Sequence, residues 1–343
     1  MSADTGSSDS TTQAVGYDRP AVVVIGRNEG QRLLRCLGSV AGCRVVYVDS
    51  ASTDGSVGSA RAEGAEVVEL DMTRPFTAAR ARNEGFAQLK AKGVLPEFVQ
   101  FIDGDCELSP GWFDAASAAL RADPMIAIVC GRRRERFPEA SVYNRICDIE
   151  WNTPVGVADA CGGDFLVRAA VFDDIRGFDA TVIAGEEPEL CFRLRARGYS
   201  ILRIDQEMTL HDAAMTRFGQ WWRRTQRSGY AYALGYAMHG QSPERFRQRN
   251  VVSITAWGGG VPLGLLACLA LGLPLAALML ALLMPVQVWR VQRSLPQSRV
   301  PDARDARAYA ASCVFGKIPE FHGVLQCWRD LLAGQRRAII EYK

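Results

Sequence analysis

From residue 21 the chain alternates short, wholly apolar runs with longer stretches whose apolar residues recur at helical spacing. AVVVIG (21–26) reads as a buried strand, and the segment after it sets Leu33, Leu34, Leu37 and Val40 on one helix face. RVVYVD ends a second strand on Asp49, EVVEL (66–70) is a third, and FVQFID ends a fourth on Asp103. Strands and helices at this interval predict parallel βαβ units, hence an α/β domain with an open, twisted, mostly parallel sheet flanked by helices. In such a sheet the carboxyl ends of the strands share one edge, where α/β proteins build their sites, and Asp49, Asp54 and Asp103 fall there together.

The pattern changes downstream. Residues 251–289 hold no charged side chain across 39 positions. One membrane-spanning helix needs about 20 residues, so this run predicts two short ones, parted at Gly272-Leu273-Pro274, as a membrane hairpin. Arg245, Arg247 and Arg249 precede the run and Arg290, Arg293 and Arg299 follow it. By the positive-inside rule both ends are then cytoplasmic, which requires two crossings or a re-entrant hairpin. A buried core helix of a soluble protein is the alternative. Residues 1–20 are polar, rich in Ser and Thr and without the features of a signal peptide, and read as a disordered lead. The closing FHGVLQCWRDLLAGQRRAIIEYK reads as an amphipathic helix lying on the membrane or on the catalytic domain.

Charge sharpens this division. The net charge of +2 hides an asymmetry, because residues 217–343 carry 17 Lys and Arg against 6 Asp and Glu, and residues 1–216 carry 23 against 32. A basic tail suits nucleic acid or anionic lipid, and beside an apolar run lipid is the better partner; no nucleic-acid partner is expected. The ten cysteines form neither a CxxC pair nor a Cys/His cluster, which argues against a zinc site or a disulfide framework and for a reduced, cytosolic setting.

The candidate chemistry centres on FVQFIDGDCE, a strand that stops on Asp103-Gly104-Asp105. Two adjacent carboxylates at a sheet edge call for a cation, and hard oxygen ligands select Mg²⁺ or Mn²⁺, whose natural cargo is a diphosphate. Asp-Gly-Asp as a simple turn, and Asp49 and Asp54 as helix caps, are the structural alternatives. Three carboxylate clusters on one edge favour a mononucleotide, held by Asp49 and Asp54 through base or ribose. The chain has no GxGxxG after its first strand and no GxxxxGK[ST], which argues against dinucleotide redox chemistry and against a phosphate-loop ATPase.

VVIGRNEG, VVYVDSASTDGS, AARARNEGF and FIDGDCEL follow one another in the order and spacing of the nucleotide-binding half of inverting family 2 glycosyltransferases, and the chain resembles that family over residues 21 to about 215. The likeness continues through CGGDFLVRAAVFDDIRGFD, AGEEPELCFRLRARGY and the histidine of TLHDAAMT. It implies a GT-A fold and a metal-dependent transfer of sugar from a nucleotide-diphosphate donor to a hydroxyl of a lipid-linked or growing glycan. It further implies that Asn28, Glu29, Asp49, Ser52, Asp54, Arg82, Asn83, Asp103 and Gly104 hold the nucleotide sugar, that Asp103, Asp105 and His211 hold Mn²⁺ or Mg²⁺, and that Gly162, Gly163 and Asp164 line the acceptor cleft. An arginine such as Arg82 on a helix is more commonly solvated, and a lone histidine more commonly structural.

Glu186 and Glu187 are the candidate general bases, with Glu189 a third. Glu187 precedes Pro188 and so sits at a helix start, where a carboxylate also serves as a cap. The helix dipole there is expected to keep its pKa low, so that position rather than basicity would activate it. FGQWWRRTQRSGYAYALGYAMHG mixes Trp221 and Trp222 with Arg223, Arg224 and Arg227, a mixture that fits an interfacial helix, sugar stacking or nucleic-acid stacking. It loosely resembles the Gln-x-x-Arg-Trp element of processive relatives, which implies acceptor contacts by Trp221, Trp222 and Arg224.

The expected organisation is a lead (1–20), a catalytic domain (21–216, with nucleotide part 21–107 and acceptor part 108–216), interfacial helices (217–250), a membrane hairpin (251–289) and a basic tail (290–343). The expected place is the plasma (inner) membrane, with the catalytic domain on the cytoplasmic face. A non-catalytic membrane scaffold on a degenerate transferase fold is the main alternative. A sugar-phosphate nucleotidylyltransferase would need a glycine-rich basic loop after the first strand, which RNEG does not supply.

Overall fold

The computed structural model describes residues 19–93 and 95–334. Most of the polar lead and the end of the closing segment lie outside the described residues. The chain runs β1 (Ala21–Gly26), α1 (Gln31–Ser39), β2 (Val45–Asp49), α2 (Ser56–Ala62), β3 (Glu66–Glu69), α3 (Ala78–Ala91), β4 (Phe98–Asp103) and β5 (Cys106–Leu108). It continues with α4 (Trp112–Ala122), β6 (Ile126–Glu135), α5 (Val142–Trp151), β7 (Gly156–Val157), β8 (Phe165–Arg168), α6 (Ala169–Asp174), α7 (Glu186–Ala196) and β9 (Ser200–His211). The strands form one sheet in the order β3-β2-β1-β4-β8-β6-β9-β5, with β7 also on β9.

The pairs among β3, β2, β1 and β4 are parallel, as crossover helices require, and beyond β4 the sheet becomes mixed. Register aligns the strand ends: Gly26 lies opposite Asp49 and Ile25 opposite Asp103. The Asp49 and Asp103 carboxylates therefore flank the end of β1, on the edge that the strand pattern predicts.

Helix α3 is drawn close to this edge. Thr77 caps it by accepting from the Arg80 amide, and Gly85 faces the sheet so closely that a Cβ there would meet Val23 Cγ1 at 2.4 Å. Arg82 sits three residues before Gly85, on the same helix face, so the close approach brings its side chain to the strand ends. Beneath it Phe86, Phe101, Phe165, Phe172 and Phe178 form an aromatic cluster with ring centroids 4.7–6.2 Å apart. Truncating the fully buried Phe101 to Ala would cost about 3–5 kcal/mol through lost transfer energy and the cavity left behind.

The remaining helices are α8 (Phe218–His239), α9 (Gln248–Ile254), α10 (Val261–Ala270), α11 (Pro274–Ser294), α12 (Ala303–Phe315) and α13 (Lys317–Leu332), with a π-helical turn at Thr255–Gly260. α8 is not a bare interfacial helix: α13 covers it at close range. A Cβ at Gly229 would fall 1.9 Å from the Glu320 carbonyl oxygen, and one at Gly323 would fall 2.0 Å from that of Gln226, so only glycines permit this crossing. Two helices, Gln248–Ala270 and Pro274–Ser294, are long and apolar enough to cross a membrane. They part at Gly272, whose positive φ of 67° suits a residue without Cβ. Leu266, Leu271, Leu275, Leu278 and Met279 are left exposed along them, a larger uncovered apolar surface than a soluble monomer normally carries.

Candidate active site

A cleft of ≈ 430 Å³ opens at the carboxyl edge of the sheet, lined by Arg82, Asp103, Arg133 and Gly163 on one side and by the start of α7 and residues of α8 on the other. Arg82 is its hub. The side chain is 2% exposed, Nη2 donates to Asp103 Oδ1 at 2.8 Å and to the Gly163 carbonyl at 3.3 Å, and Nη1 donates to Glu186 Oε1 at 3.0 Å. Glu187 Oε1 lies 3.5 Å from the same nitrogen. Arg82 is therefore not the solvated arginine of the alternative reading: a guanidinium with five fixed donors is the group able to hold three carboxylates in one buried arrangement. Removing one partner of such a buried pair costs about 3–5 kcal/mol, because it strands a charge in a low dielectric.

Gly163 makes the arrangement possible. A Cβ on it would lie 2.9 Å from Asp103 Oδ2, 3.1 Å from Arg82 Nη2 and 3.2 Å from Arg133 Nη2. Gly162 precedes it with φ 78° and turns the chain into the edge. Asp164, expected to line the acceptor cleft, is instead wholly buried. Its oxygens accept from the Asp103 amide and the Thr209 hydroxyl, and Arg133 pairs with it at 2.7 Å, so it fixes the backbone of Asp103 from behind.

Asp103 and Asp105 face different partners. Asp103 turns to Arg82, with Asp164 and the Cys106 thiol nearby, whereas Asp105 Oδ2 lies 3.3 Å from His211 Nε2. β5 pairs antiparallel with β9 and sets Cys106 opposite His211, which brings a histidine 106 positions from Asp105 to its side. Glu135 Oε2 lies 3.8 Å from His211 Nδ1, beyond hydrogen-bond reach, and Trp151 packs edge-on against the imidazole with ring centroids 4.7 Å apart. A carboxylate beside an imidazole suits Mn²⁺ better than a soft metal. Burial pushes the Cys106 thiol well up, and carboxylate neighbours add to this, so it is a neutral and poor ligand there. The pair Asp105 and His211 thus fits a divalent ion, while the Glu135 oxygens are held by the Phe137 and Ala213 amides and the Asn144 side chain.

On the donor edge, Asn28 and Ser52 tie two loops together: the Asn28 amide donates to Ser52 Oγ at 2.9 Å, and Asn28 Oδ1 accepts from the Thr53 amide at 2.7 Å. Asp49 is 2% exposed and accepts from the Tyr47 hydroxyl and the Ser52 amide. Asp54 is exposed and accepts from the Ser56 amide and hydroxyl just before α2, whose N-cap position is taken by Gly55. Glu29 pairs with Arg32 at 2.8 Å. Gly104 donates to the Ile25 carbonyl, and a Cβ there would crowd that oxygen at 3.2 Å. Asn83, expected at the nucleotide, turns away from it: its amide group both donates to and accepts from the backbone of Phe178.

Glu186 and Glu187 occupy the first turn of α7, after Gly185 at φ 81°. The expectation that the helix dipole keeps the Glu187 pKa low is overturned. Burial, followed by the adjacent Glu186 charge, raises it from 4.5 to about 7, against the opposing pull of Arg82. Desolvation of a carboxylate outweighs the dipole because the partial charge of a helix end is worth typically about 0.3–1 kcal/mol. Glu189 is committed elsewhere, to Arg193 at 2.8 Å and His239 at 3.0 Å.

The tryptophans do not reach the cleft as expected. Trp221 is buried and donates its indole N–H to Ser312 Oγ at 3.0 Å, and Trp222 packs beside it with Phe218. Arg224 does line the cleft, held by Glu150 through two hydrogen bonds of 2.8 and 3.1 Å. Arg133 and Glu135 are the site residues that sequence reasoning missed. The signal was present in GRRRERF: on a strand, alternation turns Arg133 and Glu135 to the face opposite Arg132 and Arg134.

Comparison with known proteins bears on the family and the fold. Residues 21–174 match the family model "Glycosyl transferase family 2". The pre-mycofactocin glycosyltransferase of Mycobacterium tuberculosis, curated from two strains, is 26% identical over 207 residues, covering 56% of this chain and 42% of the relative. The chain therefore spans less than half the length of these curated relatives. Among solved structures, a mannosyltransferase from Pyrobaculum calidifontis in complex with GDP-Man and Mn²⁺ superposes with a TM-score of 0.55 at 19% identity, over 91% of this chain and 88% of that one. Residues 21–174 are thus similar to glycosyl transferase family 2 domains, and the chain has a GT-A-like fold.

Proposed function

We propose that the chain is a metal-dependent inverting glycosyltransferase, with Glu187 as the general base. The observation that carries this reading is the cleft itself, in which a carboxylate with a pKa of about 7 shares Arg82 with the Asp103 of the nucleotide edge. A base poised near neutral pH takes a proton most effectively at working pH. Glu187 Oε would accept the proton of an acceptor hydroxyl as that oxygen attacks the anomeric carbon. The bond to the leaving diphosphate breaks on the opposite face, so one displacement inverts the centre. Glu186, 5% exposed and bonded to Arg82, serves as the anchor, whereas Glu187, 16% exposed, is the more open of the pair.

Asp105 and His211 would hold Mn²⁺ or Mg²⁺, which when bound offsets the charge that builds on the diphosphate. The neighbour solved with GDP-Man and Mn²⁺ supports a nucleotide sugar and a divalent ion for this chain too. The loops of Asn28, Ser52 and Asp54 would receive the nucleotide, with Asp49 and Tyr47 bracing them from beneath. Arg133 and Arg224 would face the donor phosphates or the acceptor across the cleft.

The two bare apolar helices support attachment to a membrane, and the arginines flanking them support a catalytic domain on the cytoplasmic face of the plasma (inner) membrane. Within this division residues 21–216 form the catalytic domain, 251–289 the membrane hairpin, and 217–250 with 290–334 the helices that dock the two together. An acceptor presented at that surface, a lipid-linked or growing glycan, fits this placement. The test is transfer of labelled sugar from a nucleotide sugar to membrane extract. Product with the wild type and none with Glu187→Gln supports the reading; equal product with both overturns Glu187 as base.

A further inference from the structure

We propose that a second cavity, separate from the catalytic cleft, binds a small phosphate-bearing polyol such as a sugar phosphate through Arg203. This cavity, ≈ 680 Å³, lies among β6, β9, α5 and residues 298–301. Its volume is within the range of about 300–1,000 Å³ typical of small-molecule sites. Arg132 and Arg134 line it while the intervening Arg133 lines the catalytic cleft, so the two sites meet β6 from opposite sides.

Five arginines and four acidic residues line the cavity, and most of them neutralise one another. Arg132 pairs with Asp148 at 3.0 Å, Arg134 with Glu207 at 2.7 Å and Arg145 with Asp305 at 3.6 Å. Arg299 donates to the backbone carbonyls of Ile149 and Glu150 and to the Tyr309 hydroxyl. Arg203 is the exception. It is only 4% exposed, its Nε is buried without an acceptor, and it makes no ion pair or hydrogen bond among the described residues. A buried guanidinium lacking an anion is an unfavourable arrangement, which an oxyanion entering the cavity relieves, and the guanidinium fork matches phosphate geometry.

The rest of the lining narrows the ligand. Asp205, two residues along the same face of β9, also makes no ion pair among the described residues and is a ready acceptor for a hydroxyl. Asn152, Thr153 and Gln206 add further polar groups. With three of its four carboxylates paired to arginines, the lining carries an excess of only one positive charge, so a single phosphate on a hydroxyl-rich body fits better than a polyanion such as nucleic acid.

The test is calorimetric titration of the full chain in detergent with EDTA present, using glucose 6-phosphate, inorganic phosphate and, as the neutral control, glucose. The expected result is binding of the phosphate-bearing probes and not of glucose, weakened at least tenfold by Arg203→Met and retained by Arg227→Met in the catalytic cleft. Binding unchanged in Arg203→Met, or no binding of either phosphate probe by the wild type, overturns the site. Should Arg203→Met fail to fold, hydrogen exchange on the wild type decides. Ligand-induced protection around residue 203 and at 298–301 supports the proposal, and protection confined to the cleft contradicts it. Because these readouts need neither donor nor turnover, they stand or fall apart from the transferase reading.

Discussion

Arg82 Nη2 lies 2.8 Å from Asp103 Oδ1, a contact that ties α3 to the end of β4 inside the protein. The same guanidinium reaches Glu186 and Glu187 on α7, so one side chain connects the end of β4 to the carboxylates proposed as general base and anchor. Arg82→Met is predicted to abolish transfer and to lower stability by about 3–5 kcal/mol, because it strands buried carboxylates. Arg82→Lys keeps the charge but loses the fork that spans two partners, and is expected to fold better than Arg82→Met while remaining nearly inactive. Melting curves and turnover of the two variants, measured together, check this.

With Glu187 as the proposed base, its carboxyl sets the pH dependence. With its pKa raised to about 7, the deprotonated base accumulates as pH rises, so turnover under saturating donor is predicted to climb through about pH 7 and level off above it. Glu187→Gln should lower turnover by about 10²–10⁴-fold and remove that limb. Stability runs the other way. A carboxyl whose folded pKa lies above its ordinary 4.5 contributes stability that is present below about 4.5 and lost as pH rises through about 7. The metal-free wild type should therefore melt lower at pH 8 than Glu187→Gln does, and the two should converge near pH 4. A wild-type profile flat between pH 6 and 8 would contradict the burial argument.

The separation of Asp105 from Asp103 predicts different roles in metal binding. Asp105→Ala and His211→Ala should each weaken Mn²⁺ binding at least tenfold by calorimetry, and Glu135→Gln should weaken it less, through loss of a carboxylate charge 3.8 Å from the imidazole. Asp103→Asn, whose carboxylate faces Arg82, should affect donor binding more than binding of the ion alone. Equal loss of Mn²⁺ affinity in the Asp103 and Asp105 variants would instead place both carboxylates on the metal.

Much of this site was legible in the chain before any coordinates. A strand ending on Asp103 and a helix starting at Glu186 are local facts, set by hydrophobic period and by Pro188, and both stand in the structure. What the sequence could not provide is burial. Whether Asp164 faces the cleft or backs it depends on Thr209 and Arg133 arriving from distant strands. Trp221 looked available because its helix is amphipathic, yet Ser312 of α12 covers it. The Glu187 pKa turned on desolvation, which is a property of the assembled cleft and not of the helix start that sequence reveals.

The apolar helices give a further expectation. Leu282→Arg with Leu283→Arg, near the middle of α11, should release a substantial fraction of the chain from membranes under alkaline wash, since each arginine at the centre of a spanning helix costs about 2.5–3.5 kcal/mol. Fractionation beside the wild type reads this out. Full retention of the double variant would mean that α10 and α11 do not enter the bilayer.

The central claim is metal-dependent use of a nucleotide sugar, and release of nucleoside diphosphate from a panel of UDP-, GDP- and dTDP-sugars tests it most directly. The account predicts release from one donor by detergent-solubilised protein with Mn²⁺ or Mg²⁺ and acceptor-containing membrane extract, abolished by EDTA, by Asp105→Ala and by Glu187→Gln. Release that persists undiminished in EDTA and in Asp105→Ala, or no binding of any nucleotide sugar by the wild type, would contradict it.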